Sequence, residues 1–171
     1  MKKKFNQHCL PFCLILCSLL FNTSVHAADL RGRLGIGASN QLANDLPALS
    51  FKIQRYKTFA LGGILGFRSN EEATLYGVGV KFYRIIFDEP QLNFYLAGLF
   101  ASENFLDEQR QVQSGYQVDG TLGTEFHFSG LESIGLSFEM GISARNVDPL
   151  GGASIETLGD QFLKASFHFY L

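Results

Sequence analysis

Six ionisable residues, Lys52, Lys81, Asp119, Glu125, Glu139 and Lys164, stand at alternate positions inside otherwise apolar runs of this 171-residue chain. Three ammoniums and three carboxylates can neutralise one another as a salt-bridged core, or line a narrow path whose selectivity they set. His127 and His168 stand in the same alternation. No His/Asp/Glu spacing for zinc accompanies them, so they are expected to act as hydrogen bonders, with no metal or cofactor. Gly35-Ile36-Gly37 and Gly77-Val78-Gly79 have the glycine spacing of a phosphate-cradling loop. Neither precedes a helix, and room for larger neighbours explains them better.

The elements that must position these groups are strands. From Tyr116 to Phe128, Tyr116, Val118, Leu122, Phe126 and Phe128 take the even positions, with Gln117, Asp119, Thr121, Glu125 and His127 between them. After Ser129-Gly130 the pattern restarts with Ile134, Leu136, Phe138, Met140 and Ile142 against Gly135, Ser137, Glu139, Gly141 and Ser143. A period of two puts successive side chains on opposite faces, so this is a hairpin with one apolar and one hydrogen-bonding face. Similar alternation runs through Arg31 to Ala38, Leu49 to Tyr56, Phe59 to Phe67, Tyr76 to Tyr83, Leu92 to Ala101 and Phe162 to Leu171. The total is eight strands.

Over all eight runs one side is nearly pure Leu, Ile, Val, Phe and Tyr. The other collects Arg31, Arg33, Lys52, Gln54, Lys81, Asp119, Glu125, His127, Glu139, Lys164 and His168 among many glycines. A water-facing side would be dense in charge and poor in glycine. A side of mixed sign and small residues suits a narrow interior in which opposite charges pair. The fold expected is therefore all-β, an eight-stranded antiparallel up-and-down transmembrane barrel, with its apolar side towards lipid. Longer connections at 39–47, 102–115 and 144–161 alternate with tight ones near Lys57, Asp88 and Ser129-Gly130, and the link at 69–73 breaks that rule. In the absence of Trp, Phe59, Phe82, Tyr83, Phe94, Phe128 and Tyr170 are the candidates for an interfacial aromatic girdle.

Residues 1–27 read as a cleaved signal peptide, and residues 28–171 as the barrel. Lys2, Lys3 and Lys4 open the leader, Leu10 to Phe21 form its apolar centre, and Val25-His26-Ala27 is a small-residue cleavage pattern, with a cut after Ala27 or Ala28. All three cysteines, Cys9, Cys13 and Cys17, fall within it, which excludes a disulfide-stapled domain. The leader also carries three of the 14 Lys and Arg and none of the 16 Asp and Glu, leaving 11 against 16. An acidic balance of that kind excludes nucleic acid as a partner.

The segment from Gly123 to Glu139 resembles the recurrent strand-turn-strand of the small eight-stranded outer-membrane β-barrels of the OmpA and OmpX type. The chain terminus is similar to the assembly signal of such proteins, with Lys164 polar, Ser166 small, Phe169 aromatic and Leu171 apolar where an aromatic is usual. The resemblance implies the bacterial outer membrane as the location, and lipid and the insertion machinery as partners, the latter through the C-terminal strand. It implies a structural, envelope-integrity or loop-mediated surface role, with the surface partner unidentified and no catalytic residues. A narrow channel and a secreted lipocalin-like carrier are the alternatives. His127-Phe128-Ser129 with Glu132 or Glu139 also looks like a fragment of the His-x-Ser set of an outer-membrane lipid A deacylase, in which Ser attacks an ester and His takes its proton. Ser129 falls in a turn on the wrong side of the membrane for that substrate.

Overall fold

The computed structural model describes residues 30–43, 46–70, 73–106, 110–146, 154–157 and 163–171. The leader, both cleavage sites and most of the connection at 145–160 lie outside them. Among the described residues nine strands form: β1 Leu34–Ser39, β2 Ala48–Tyr56, β3 Phe59–Ser69, β4 Thr74–Glu89, β5 Leu92–Leu106, β6 Val112–Phe128, β7 Leu131–Asn146, β8 Ser154–Glu156 and β9 Lys164–Tyr170. All pair antiparallel with sequence neighbours, except that β9 bridges β7 and β1 and thereby closes the sheet. The short β8 pairs with Ser143 to Arg145 of β7 beyond the end of β9, so the closed barrel has eight strands.

The register returns with an offset. Following hydrogen-bonded partners from Glu125 through Ser137, Ser166, Ser39, Ala48, Gly66, Gly77 and Glu103 leads back to β6 at Gly115, ten residues from the start. With about 3.3 Å of rise per residue and about 4.8 Å between strands, that stagger tilts the strands by roughly 40°. Eight strands so tilted enclose a space just wide enough for side chains. Bulges between Gln54 and Tyr56, Ile85 and Phe87, and His127 and Phe128 all fall beside tight turns, where a sheet rim re-aims its side chains.

The orientation of the faces is decided by burial. Phe126, Phe138 and Phe167 are 41, 37 and 42 % exposed on the outer wall, whereas Glu125 and Glu139 are 1 and 3 % exposed inside. A soluble carrier requires the opposite. Leu49, Leu65, Val78, Val80, Phe82, Leu96, Phe100, Leu122 and Ile142 extend the apolar belt around the wall. Water-soluble monomers rarely expose so continuous a patch. Leu122→Arg should cost about 2–4 kcal/mol in a lipid-embedded barrel. Urea titration of the refolded chain in vesicles would measure it, and a change within about 0.5 kcal/mol, normal for a water-facing site, would contradict lipid contact there.

Several strand ends differ from those read in the sequence, most at the first strand and at the β5–β6 connection. The first strand starts at Leu34, because Gly32 at φ 77° and the Arg33 N–H bonded to the Leu30 carbonyl turn the chain first. Arg31 and Arg33 consequently sit at the rim, where the Arg33 guanidinium donates to the Tyr170 carbonyl at 2.7 Å and to Ser133. At the opposite end, most of the charged stretch 103–114 is strand, with Phe105 against Gln113 and Leu106 against Val112. Ladder pairing there outweighs the polar composition. The Asn104 side chain accepts from the Tyr76 N–H and donates to the Thr74 carbonyl, holding β4 beside this extension.

Candidate functional site in the barrel interior

The inward positions of the alternating strands bring Lys52, Lys81, Asp119, Glu125, Glu139 and Lys164 into one enclosed space, all buried. Lys52 on β2 reaches across to Glu125 on β6, Nζ to Oε2 at 2.7 Å. That carboxylate also accepts from the Tyr170 hydroxyl at 2.6 Å and from Ser137 at 3.4 Å, with His127 Nε2 3.6 Å away. The second pair lies nearer the long connections. Lys81 on β4 contacts both Glu139 oxygens at 2.5 and 2.6 Å. Glu139 accepts further bonds from Tyr95 and Thr121, each at 2.9 Å. Two ionised groups withdrawn from water survive only when their remaining lone pairs are met in this way.

Asp119 is held by amides: Gln117 Nε2 donates to both its oxygens at 2.9 and 2.7 Å, and Gln41 at 3.4 Å. Lys164 is buried opposite Glu139 in the β7–β9 register, yet makes no ion pair with a described residue. His168 meets Ser50, Nε2 to Oγ at 2.9 Å. His127 turns inward, its Nδ1 meeting the Ile134 carbonyl at 3.1 Å, while Ser129 lies in the exposed turn and accepts a bond from Gln91. Glu132 is exposed at the start of β7, so the His-x-Ser fragment is split between the inside and the rim.

Tyr83 and Tyr170 correct the girdle read from the sequence. Both are buried inside the barrel, because a phenol can pack its ring and still satisfy its polar tip there. Tyr170 finds Glu125, and the Tyr83 ring stands 4.6 Å from the Lys52 ammonium and 5.0 Å from that of Lys81. Such cation–π contacts soften the burial of the two charges. Tyr95 meets Tyr83 edge-on at 5.3 Å between centroids. Inward glycines make the room: a Cβ at Gly123 would stand 2.5 Å from the Tyr95 ring, and one at Gly62 2.9 Å from Tyr83. Phe59, Phe82, Phe94 and Phe128 remain on the wall.

Gln41, Leu42 and Leu46 carry no periodic signal, and sequence reasoning placed them in a polar loop. They are instead among the most buried residues, because the β1–β2 connection folds into the mouth of the barrel. Gln41 donates to Glu139 and accepts from Lys81, while the Ala43 N–H donates to Gln117 Oε1 at 2.9 Å. Leu42 and Leu46 pack with Ala48, Ile64, Leu99 and Ala101. Gly66 and Gly77, paired across β3 and β4, form the socket: a Cβ on either would lie 2.8 or 2.6 Å from a Leu42 methyl. The only advance signal was that pair of facing glycines.

No family model matches the sequence, and no curated protein is significantly similar to it. Among solved structures, the N-terminal β-barrel domain of Pseudomonas aeruginosa OprF superposes with a TM-score of 0.59, covering 82% of this chain and 98% of that one at 13% sequence identity. The likeness is one of fold. With the apolar outer wall, the closed register and this superposition together, the chain is a transmembrane eight-stranded β-barrel of the architecture that OprF displays.

Proposed function

We propose that the protein is an outer-membrane barrel with a closed interior, whose role is structural or rests on recognition by its surface connections. The observation that carries this reading is the occupancy of the lumen: two ion pairs, three tyrosines and an inserted connection bonded to both Lys81 and Glu139. A barrel of this strand number has no spare width for a water column once such side chains are in place. The signal peptide of residues 1–27 delivers the chain for export. Lys164, Ser166, Phe169 and Leu171 serve the insertion machinery as the terminal strand that closes the barrel. No catalytic role is assigned to any residue.

Planar bilayers test the closed lumen. The wild-type chain is expected to insert, shown by a gel mobility that changes on boiling, and to give no stable conductance steps. Steady steps from the wild type would replace this reading with the narrow channel, for which the polar lining is otherwise suited.

A further inference from the structure

On the outer wall, where β2, β3 and β4 approach the tight turns, the apolar belt gives way to cations. Ile53, Leu61 and Phe82 are followed in the same direction by Arg55, Lys57 and Arg84, all exposed. Register gathers them. Arg84 pairs with Phe59 across β3–β4, Tyr56 pairs with the same Phe59 across β2–β3, and Arg55 occupies the bulge between Gln54 and Tyr56. The Arg84 guanidinium reaches Thr58 in the intervening turn at 3.5 Å. None of the three cations makes an ion pair with a described residue. The nearest carboxylates along β4, Asp88 and Glu89, lie four and five residues further on.

We infer that Arg55, Lys57 and Arg84 form a binding site for the phosphate of an anionic glycerophospholipid in the leaflet at the tight-turn end. The inference rests on the lipid-facing reading of the wall. Its depth argues for a headgroup: Arg55 and Lys57 follow the last exposed aliphatic residues of β2 and β3, Arg84 stands beside them between exposed Phe82 and Ile86, and exposed Tyr56 and half-buried Phe59 supply the amphipathic and apolar surface typical of that level. Its charge argues for an anion, since two guanidinium forks and an ammonium stand together with no acidic partner among the described residues. Basic residues at an anionic membrane surface each contribute about a fivefold preference at most, and salt weakens it.

The test uses the full chain refolded into bilayers of equal phosphatidylcholine and phosphatidylglycerol, extracted in mild detergent and weighed with its retained lipid by native mass spectrometry. Phosphatidylglycerol should be retained about tenfold over phosphatidylcholine at low salt, with the preference shrinking as salt rises. In Arg55→Gln/Lys57→Gln/Arg84→Gln the ratio should fall to that of the bulk while the boiling-dependent gel shift persists. Should the triple variant not insert, Arg84→Gln alone and the salt series on the unaltered chain read the same preference. Equal retention by the wild type at low salt, an undiminished preference in the variants, or, in a second set of bilayers with lipid A in place of phosphatidylcholine, stronger retention of lipid A than of phosphatidylglycerol would overturn the site. Failure of the wild type to insert at all would instead overturn the lipid-facing wall.

Discussion

Lys81→Met is expected to destabilise the barrel by about 3–5 kcal/mol, the cost of leaving a buried carboxylate without its ion-pair partner. Glu139 would keep only Tyr95, Thr121 and Gln41 as donors, with Asp119 close by in the same network. The loss reaches further than one pair, because Lys81 also donates to Gln41, which anchors the inserted β1–β2 connection. Urea midpoints of the refolded chain in detergent or vesicles measure it. Lys81→Met/Glu139→Leu should recover much of the loss, since a buried pair replaced by apolar groups of similar volume is often neutral. A double variant as unstable as the sum of its singles would show that the two residues do not act as a pair.

Gly37→Ala is expected to abolish the closed barrel. A Cβ at this position would overlap the Phe167 carbonyl oxygen and stand 2.8 Å from the His168 Cα, both backbone atoms that no rotamer change can move. Gly37 pairs with His168 across the β1–β9 seam, the contact that joins the two ends of the sheet. Opening it leaves unpaired N–H and C=O groups in hydrocarbon, each costing several kcal/mol. The expected readout is loss of the boiling-dependent gel shift. Gly98→Ala is the control, because its nearest neighbour beyond the adjacent residues is the Asp119 carbonyl at 3.7 Å. That variant should fold with a urea midpoint equal to or slightly above the wild type, since alanine costs less chain entropy than glycine. Wild-type folding of Gly37→Ala would refute the close approach at the seam.

Much of this architecture was legible from alternation alone. Glu125 and Phe126, or Glu139 and Met140, are neighbours in sequence and must point to opposite faces of one strand. Repeated over the strands, the rule sends Lys52, Lys81, Asp119, Glu125, Glu139 and Lys164 inward without reference to tertiary contacts. It failed for aromatics with two natures. Tyr83 and Tyr170 occupy the inward parity of their strands, yet their chemistry also suits a membrane interface, so composition pulled them to the wall while register placed them inside.

What the sequence by itself determined is the facing of each side chain, the number of barrel strands and the sites of the tight turns, because these depend on a period of two and on local turn chemistry. Only the tertiary structure decided which lysine meets which glutamate, that Lys164 makes no ion pair with a described residue, and that Gln41, Leu42 and Leu46 enter the lumen. Pairing across the lumen is set by a stagger of ten residues around the ring, a property of all the strands at once. A connection enters only where the facing wall leaves a hollow, and the hollow at Gly66 and Gly77 exists only after β3 and β4 have paired.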